Sequence, residues 1–239
     1  MKLLIFGGAH VDSKAKLAEV SLWADVVCKL NPGVDIVFYD TASRPAVSLR
    51  KEITVERFDY NPGHLSHGGG DGWGRTFCAG IERAIYDGYD YVCYWERDLI
   101  IAKEIYYIVG RMRRANVKAA HLFLANYQFT ENAFGVYRVD FLEEIDFVKQ
   151  YDWRSRKPIP KTYKHPSELR EHTPEWRVHD ILGENLWILP YPGIRNDKNQ
   201  VNCMNLHDMC PYEPPTWLHM GQDIRLFHRF LELNGIALP

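Results

Sequence analysis

DYVCYWERDLI, residues 90–100, decides how this chain is read. Its aromatic and aliphatic residues have the texture of a buried strand, yet Glu96-Arg97-Asp98 interrupts it before Leu99-Ile100-Ile101 makes it apolar again. Burying an unpaired carboxylate is costly, so these charges must reach solvent or meet counter-charges. In extended backbone Glu96 and Asp98 point to one side and Arg97 to the other. Two carboxylates so placed repel unless a cation lies near them, and hard ions such as Mg²⁺ or Mn²⁺ take oxygen ligands. The plain alternative is a solvated strand end in which they pair with Arg97 or Arg75.

Outward from this stretch the chain alternates strand and helix. KLLIF followed by Gly7-Gly8 predicts a short buried strand leaving through a tight loop, and Asp12-Ser13 can cap a helix with Leu17, Val20, Ala24 and Val27 on one face. NPG at 31–33 ends that helix, and VDIVFYD predicts a second strand presenting Asp40, Thr41 and Ser43 at its C-terminal end. Residues 44–67 show no clear period. HGGGDGWGR, residues 67–75, places five glycines before a helix bearing Phe77, Ile81, Ala84 and Ile85, which Gly88 closes.

After the opening stretch come a helix (Ile105, Ile108, Val109, Met112) and the strand KAAHLFLA. Residues 152–173, rich in Arg, Lys, His and Pro, predict an irregular, mobile segment. Thr173-Pro174-Glu175 then reads as cap, first position and first turn of a helix leading to the strand LWILP. A last helix carries Ile224, Phe227 and Leu231. This is the rhythm of a largely parallel sheet.

The 239 residues, 46% hydrophobic, can bury one substantial core. A formal charge of −2 and a pI near 6.6 give no global reason to expect nucleic-acid or membrane-surface binding. MKLLIFGGAHVD is too short an apolar run for a secretory signal, and no stretch approaches the ~20 apolar residues of a membrane span, so a cytoplasmic protein is expected. The five cysteines are an odd number, with Cys28, Cys78 and Cys93 in apolar periodic segments, which argues against a disulfide scaffold. Cys203, His207 and Cys210 offer three soft ligands without a familiar fourth, so structural zinc is not expected.

Ligands of alternating α/β sheets bind outside the carboxyl ends of the strands. Three polar features fall there: Gly7–His10, Asp40 and Glu96-Arg97-Asp98. Asp40 can equally be a turn residue bonding its own backbone. The 67–75 glycines let backbone approach phosphate at a helix N-terminus, with Arg75 adding a charge-assisted contact. Neither dinucleotide spacing after the first strand nor a Walker lysine is present, which disfavours a plain dinucleotide-binding protein.

In this order, YDTAS (39–43), GGGDGWGR through DLI (68–100) and AFGVYRVDFLEEIDF (133–147) resemble the GT-A-fold nucleotide-sugar glycosyltransferases over roughly residues 1–148. In that family a Gly/Arg segment and amphipathic helix precede a strand ending in an Asp-X-Asp signature. The resemblance implies one GT-A-like α/β domain over 1–239 with a mixed, mostly parallel sheet flanked by helices. Residues 1–115 would form the nucleotide/donor half, and 116–239 the acceptor half and a C-terminal extension.

It further implies that Asp98 coordinates Mn²⁺ or Mg²⁺ bridging the donor diphosphate, while Glu96, a departure from the usual Asp, reaches the ribose or a metal-bound water. His219 would complete the metal site. Gly8, Ala9, His10 and Asp40 would hold the nucleoside, and Arg75 would face the donor. Glu175 is the implied general base, with Asp180 and then Glu184 behind it, though a first-turn carboxylate also favours a helix dipole without doing chemistry. By its own composition, segment 152–173 could close over donor and acceptor and exclude water, or equally be a solvated excursion. The expected reaction moves a sugar from a UDP-, GDP- or dTDP-linked donor to a hydroxyl acceptor, a glycan or glycoconjugate, with inversion. The alternatives are a non-catalytic nucleotide- or carbohydrate-binding module on the same fold and a sugar-nucleotide pyrophosphorylase.

Overall fold

The computed structural model describes residues 1–124, 129–160, 162, 166–169, 172–196, 200–206, 214–219 and 223–238. In chain order the elements are β1 (Leu3–Ala9), α1 (Lys14–Leu30), β2 (Asp35–Asp40), β3 (Ile53–Arg57), α2 (Gly72–Tyr86), β4 (Tyr91–Trp95) and β5 (Leu99–Ile101). Then follow α3 (Ile105–Ala115), β6 (Ala119–Leu124), β7 (Phe129–Arg138), α4 (Val139–Glu144), α5 (Phe147–Tyr151), α6 (Pro174–Leu182), β8 (Leu186–Ile188), β9 (Gly193–Arg195), β10 (Trp217–His219) and α7 (Ile224–Leu233). Among the described residues no helix is long and apolar enough to cross a membrane.

Seven strands form one sheet in the order β3-β2-β1-β4-β7-β6-β8, and β7 runs against the other six. Alternate residues of β1 serve opposite faces: Leu3 and Ile5 join α1, α3 and α7 in one core, while Leu4 and Phe6 join α2, α4, α5 and α6 in the other. A three-stranded sheet, β5-β10-β9, packs on the α1 side.

Local chemistry places the helix ends. Ser13 caps α1 by accepting from the Lys16 amide. The Asn31 side chain closes α1 through the Val27 carbonyl and also accepts from the Ile105 amide at the start of α3, joining two helices on one face. Along α1, Val20, Ala24 and Val27 are buried as the spacing predicts, whereas Leu17 is 40% exposed, in the first turn.

Two expectations change. The first strand continues through Gly7 and Gly8 to Ala9 instead of leaving at Gly7. A Cβ at Gly7 would overlap the Trp95 carbonyl oxygen, and one at Gly8 would lie 2.7 Å from both Tyr39 O and Thr76 Cγ2, so these glycines serve close packing inside the sheet. Gly7→Ala is expected to lower stability by about 1–3 kcal/mol, read as a fall in the urea midpoint, because the clash is with backbone. Second, β3 lies in the stretch without period: it is an edge strand in which only Ile53 is buried, so one face carries no hydrophobic signal.

Candidate active site

The interruption at 96–98 is the passage from one sheet to the other. β4 is paired on both sides within the large sheet, while β5 pairs with β10 in the small one. The β5–β10 register sets His219 opposite Leu99, which brings His219 Nε2 to 3.6 Å from Asp98 Oδ1. On the other flank, the β6–β7 register steps from His121↔Gly135 to Leu122↔Glu131, leaving residues 132–134 without partners on β6. This bulge re-aims β7. The Ala133 carbonyl accepts from the Glu96 amide at 2.8 Å, so Glu131 and Asn132 arrive beside the acidic triplet.

Ligand atoms of Glu96, Asp98 and His219 lie within 4.8 Å of one another. His219 Nδ1 donates to Glu131 Oε2 at 2.7 Å, which leaves Nε2 turned toward Asp98. Glu131 also accepts from the Ala133 amide and meets Arg195 Nη1 at 3.1 Å. Burial, then the Asp98 charge, push Glu96 up to about 8. Burial also opposes ionisation of Asp98, but His219 and Arg97 outweigh it and hold its carboxyl well below the usual range. At His219 burial works against the charged ring, yet Glu131 and Asp98 on its two nitrogens carry it up to about 10. A proton on Nε2 thus stands where a metal cation would stand. Asp98 Oδ1, buried without a hydrogen-bond partner among the described residues, and the two-oxygen, one-nitrogen donor set fit a divalent ion such as Mn²⁺ or Mg²⁺.

These groups open into a cleft of about 380 Å³, within the size range of small-molecule sites. Thr173, Pro174 and Glu175 line it from the start of α6, and His64, Asp71 and Trp73 from the loop before α2 and its first turn. Burial, reinforced by the Glu131 charge, raises the Glu175 carboxyl above its ordinary value. Among the described residues, both Asn132 amide atoms and Thr173 Oγ1 are buried at this cleft with no hydrogen-bond partner. Two more open grooves, about 690 and 640 Å³, flank the C-terminal end of α2, and no metal-ligand cluster lies in them among the described residues.

Other predicted residues are placed elsewhere. Gly8, Ala9, His10, Asp40 and Arg75 do not line this cleft. His10 Nδ1 donates to the Thr41 carbonyl at 2.7 Å, tying the end of β1 to the turn after β2. Asp40 is fully buried, its carboxylate oxygens accepting from the Ser43 and Val47 amides. Arg75 turns away to Asp59 Oδ1 and the Tyr60 carbonyl, both at 2.7 Å, its guanidinium lying over the Phe58 ring. The N-terminus of α2 is capped by buried Asp71, which accepts from Gly74 N and Tyr151 OH, so a carboxylate already occupies the place a phosphate was expected to take. Asp180 and Glu184 are exposed and lie outside the cleft lining. Arg97 pairs with Glu19 on α1, and its other nitrogen lies 3.6 Å from Asp98 Oδ2. Of the soft-ligand trio, His207 and Cys210 lie outside the described residues, and Cys203 is a free, exposed thiol. Within 152–173, short 3₁₀ turns form at Trp153–Ser155 and Pro166–Leu169.

Sequence reasoning missed Glu131, Asn132 and Arg195. The first two carry the same signal as the opening stretch, polar residues set inside a strand; Arg195 carries none.

No family profile and no curated protein matches the sequence. Solved structures match its fold. A glycosyltransferase involved in glycosylation of the major capsid of PBCV-1 gives a TM-score of 0.54 at 11% identity, covering 99% of this chain and 100% of that one. The galactosyltransferase LgtC, solved with donor and acceptor sugar analogues, gives 0.57 at 11% identity, covering 99% and 97%. The glycosyltransferase GlyE of Streptococcus pneumoniae TIGR4 gives 0.58 at 10% identity, covering 99% of this chain but 61% of its own. The fold is therefore a single GT-A-like α/β domain, a mixed, mostly parallel sheet flanked by helices.

Proposed function

We propose that this protein is a metal-dependent glycosyltransferase that moves a sugar from a nucleotide-sugar donor to a hydroxyl acceptor with inversion. The observation that carries this reading is the convergence of Glu96, Asp98 and His219 at one cleft with a burial-raised carboxylate, Glu175. The solved relatives in fold are named as glycosyltransferases, which supports the reaction class.

Glu96, Asp98 and His219 would hold Mn²⁺ or Mg²⁺, which supplies positive charge to the donor diphosphate as the leaving group departs. Glu131 keeps His219 in the tautomer whose Nε2 faces the ion. The Asn132 amide meets a hydroxyl of the transferred sugar, and Arg195, beside Glu131, adds a second positive charge to the cleft. Glu175 takes the proton of the acceptor hydroxyl as its oxygen bonds to the anomeric carbon. The bond from that carbon to the diphosphate oxygen breaks, releasing the nucleoside diphosphate. The nucleoside rests against the backbone of Gly8–His10, beside the turn after β2 that Asp40 shapes from within. Residues 1–115 contribute Asp71, Glu96 and Asp98 to the cleft, and 116–239 contribute Glu131, Asn132, Glu175, Arg195 and His219.

UDP-, GDP- and dTDP-sugars, each with and without Mn²⁺, test the reading by thermal stabilisation. At a ligand concentration about 100 times Kd, the cognate donor with Mn²⁺ adds about 2.7 kcal/mol, or roughly 5–10 °C in Tm for a domain of this size. No shift with any donor in either condition overturns it. The anomeric configuration of the product, read by NMR, tests inversion.

A further inference from the structure

Behind the β7 bulge lies a polar pair that the proposed reaction does not use. His121 is fully buried, and its Nε2 lies 2.7 Å from Tyr137 OH. Gly135 makes the pair possible: a Cβ there would overlap the Tyr137 hydroxyl and lie 2.9 Å from His121 Nε2. Among the described residues, His121 Nδ1 is buried without a partner at hydrogen-bond distance, as are both amide atoms of Asn132, which lies beside the ring and is itself only 3% exposed. Desolvation drives His121 down to about 3 against the field of Glu131, with His179 acting in the same direction as burial, so the ring is neutral and carries one N–H.

Which nitrogen carries the proton follows from the phenol. Tyr137 OH has no acceptor other than His121 Nε2 among the described residues, and a buried hydroxyl hydrogen left unbonded is costly. We propose that Tyr137, His121 and Asn132 form a buried relay: Tyr137 donates to Nε2, His121 donates from Nδ1 to the Asn132 side-chain oxygen, and Asn132 presents its NH₂ to the cleft. His121 and Tyr137 are then positioning residues, and Asn132 reads an oxygen of the ligand as a donor. The relay's functional effect rests on the sugar-transfer reading; its tautomer does not.

Long-range ¹H–¹⁵N spectra of the ¹⁵N-histidine-labelled protein from pH 5 to 8 test the relay, with His121→Gln used for assignment. The expected result is a neutral His121 protonated on Nδ1 throughout, with Nε2–H gaining population in Tyr137→Phe. A proton on Nε2 in the wild-type protein overturns the relay, whether or not sugar transfer occurs. The second measurement uses Mn²⁺ and the nucleotide sugar giving the largest Tm shift, compared with its monodeoxy sugar analogues. Tyr137→Phe should reduce discrimination at one hydroxyl position about tenfold, at the position where Asn132→Ala also reduces it. A variant whose Tm falls while discrimination stays intact overturns the coupling to Asn132.

Discussion

Asp98→Asn is expected to abolish the Mn²⁺-dependent rise in Tm with the cognate donor and to lower kcat/KM about a thousandfold, roughly 4 kcal/mol of transition-state stabilisation. Asp98 would offer the ion a buried oxygen that has no hydrogen-bond partner among the described residues, and an amide oxygen in its place carries no formal charge. The unliganded fold survives, because the shape of the side chain is kept, and loss of the Asp98 charge lets Glu96 relax toward its ordinary value. Metal titration gives the companion result. The ion must displace the Nε2 proton of His219, held up to about 10, and below pH 8 the Glu96 proton as well. Affinity for Mn²⁺ therefore rises with pH by about tenfold per unit, and more steeply below pH 8. Isothermal titration at pH 6, 7 and 8 measures this slope; a flat profile removes both groups from the metal site.

Glu175→Gln is expected to leave the donor-induced Tm shift unchanged and to lower transfer by about 10²–10⁴-fold, the span of a lost general base. Glu175 lies in the cleft at the start of α6, and its carboxyl is raised by burial and then by Glu131, toward the range where a base works at neutral pH. Because a general base must be deprotonated to act, kcat of the wild-type protein is expected to rise with pH through that elevated value, and the Gln variant to lack this limb. Asp180→Asn, on the exposed side of the same helix, leaves both quantities unchanged. Normal transfer by Glu175→Gln would move the base elsewhere, whereas a wild-type protein that binds donor but never transfers would favour a binding module on this fold.

Much of the architecture was legible because it rests on local physics. Burial alternates along β1 between the two cores, and Ile105, Ile108, Val109 and Met112 keep the 3.6-residue period of α3. The cap at Ser13, Pro174 at the start of α6 and the left-handed Gly88 act within a turn of their own position. Glycine was less transparent. Gly7 and Gly8 read as a loop, although only the neighbouring Trp95, Tyr39 and Thr76 show that they make room inside a sheet.

From sequence alone, then, came the α/β alternation and the anomaly of three charges within an apolar stretch, both properties of near neighbours. Tertiary structure decided what those charges meet. Arg97 turned to Glu19, Arg75 left for Asp59, and Asp40 spent its oxygens on its own turn, while Glu131, Arg195 and His219 arrived from distant segments. The β5–β10 register and the β7 bulge set those distances. Electrostatic interaction and metal ligation depend on separation in space, and that separation is fixed only when strands are paired.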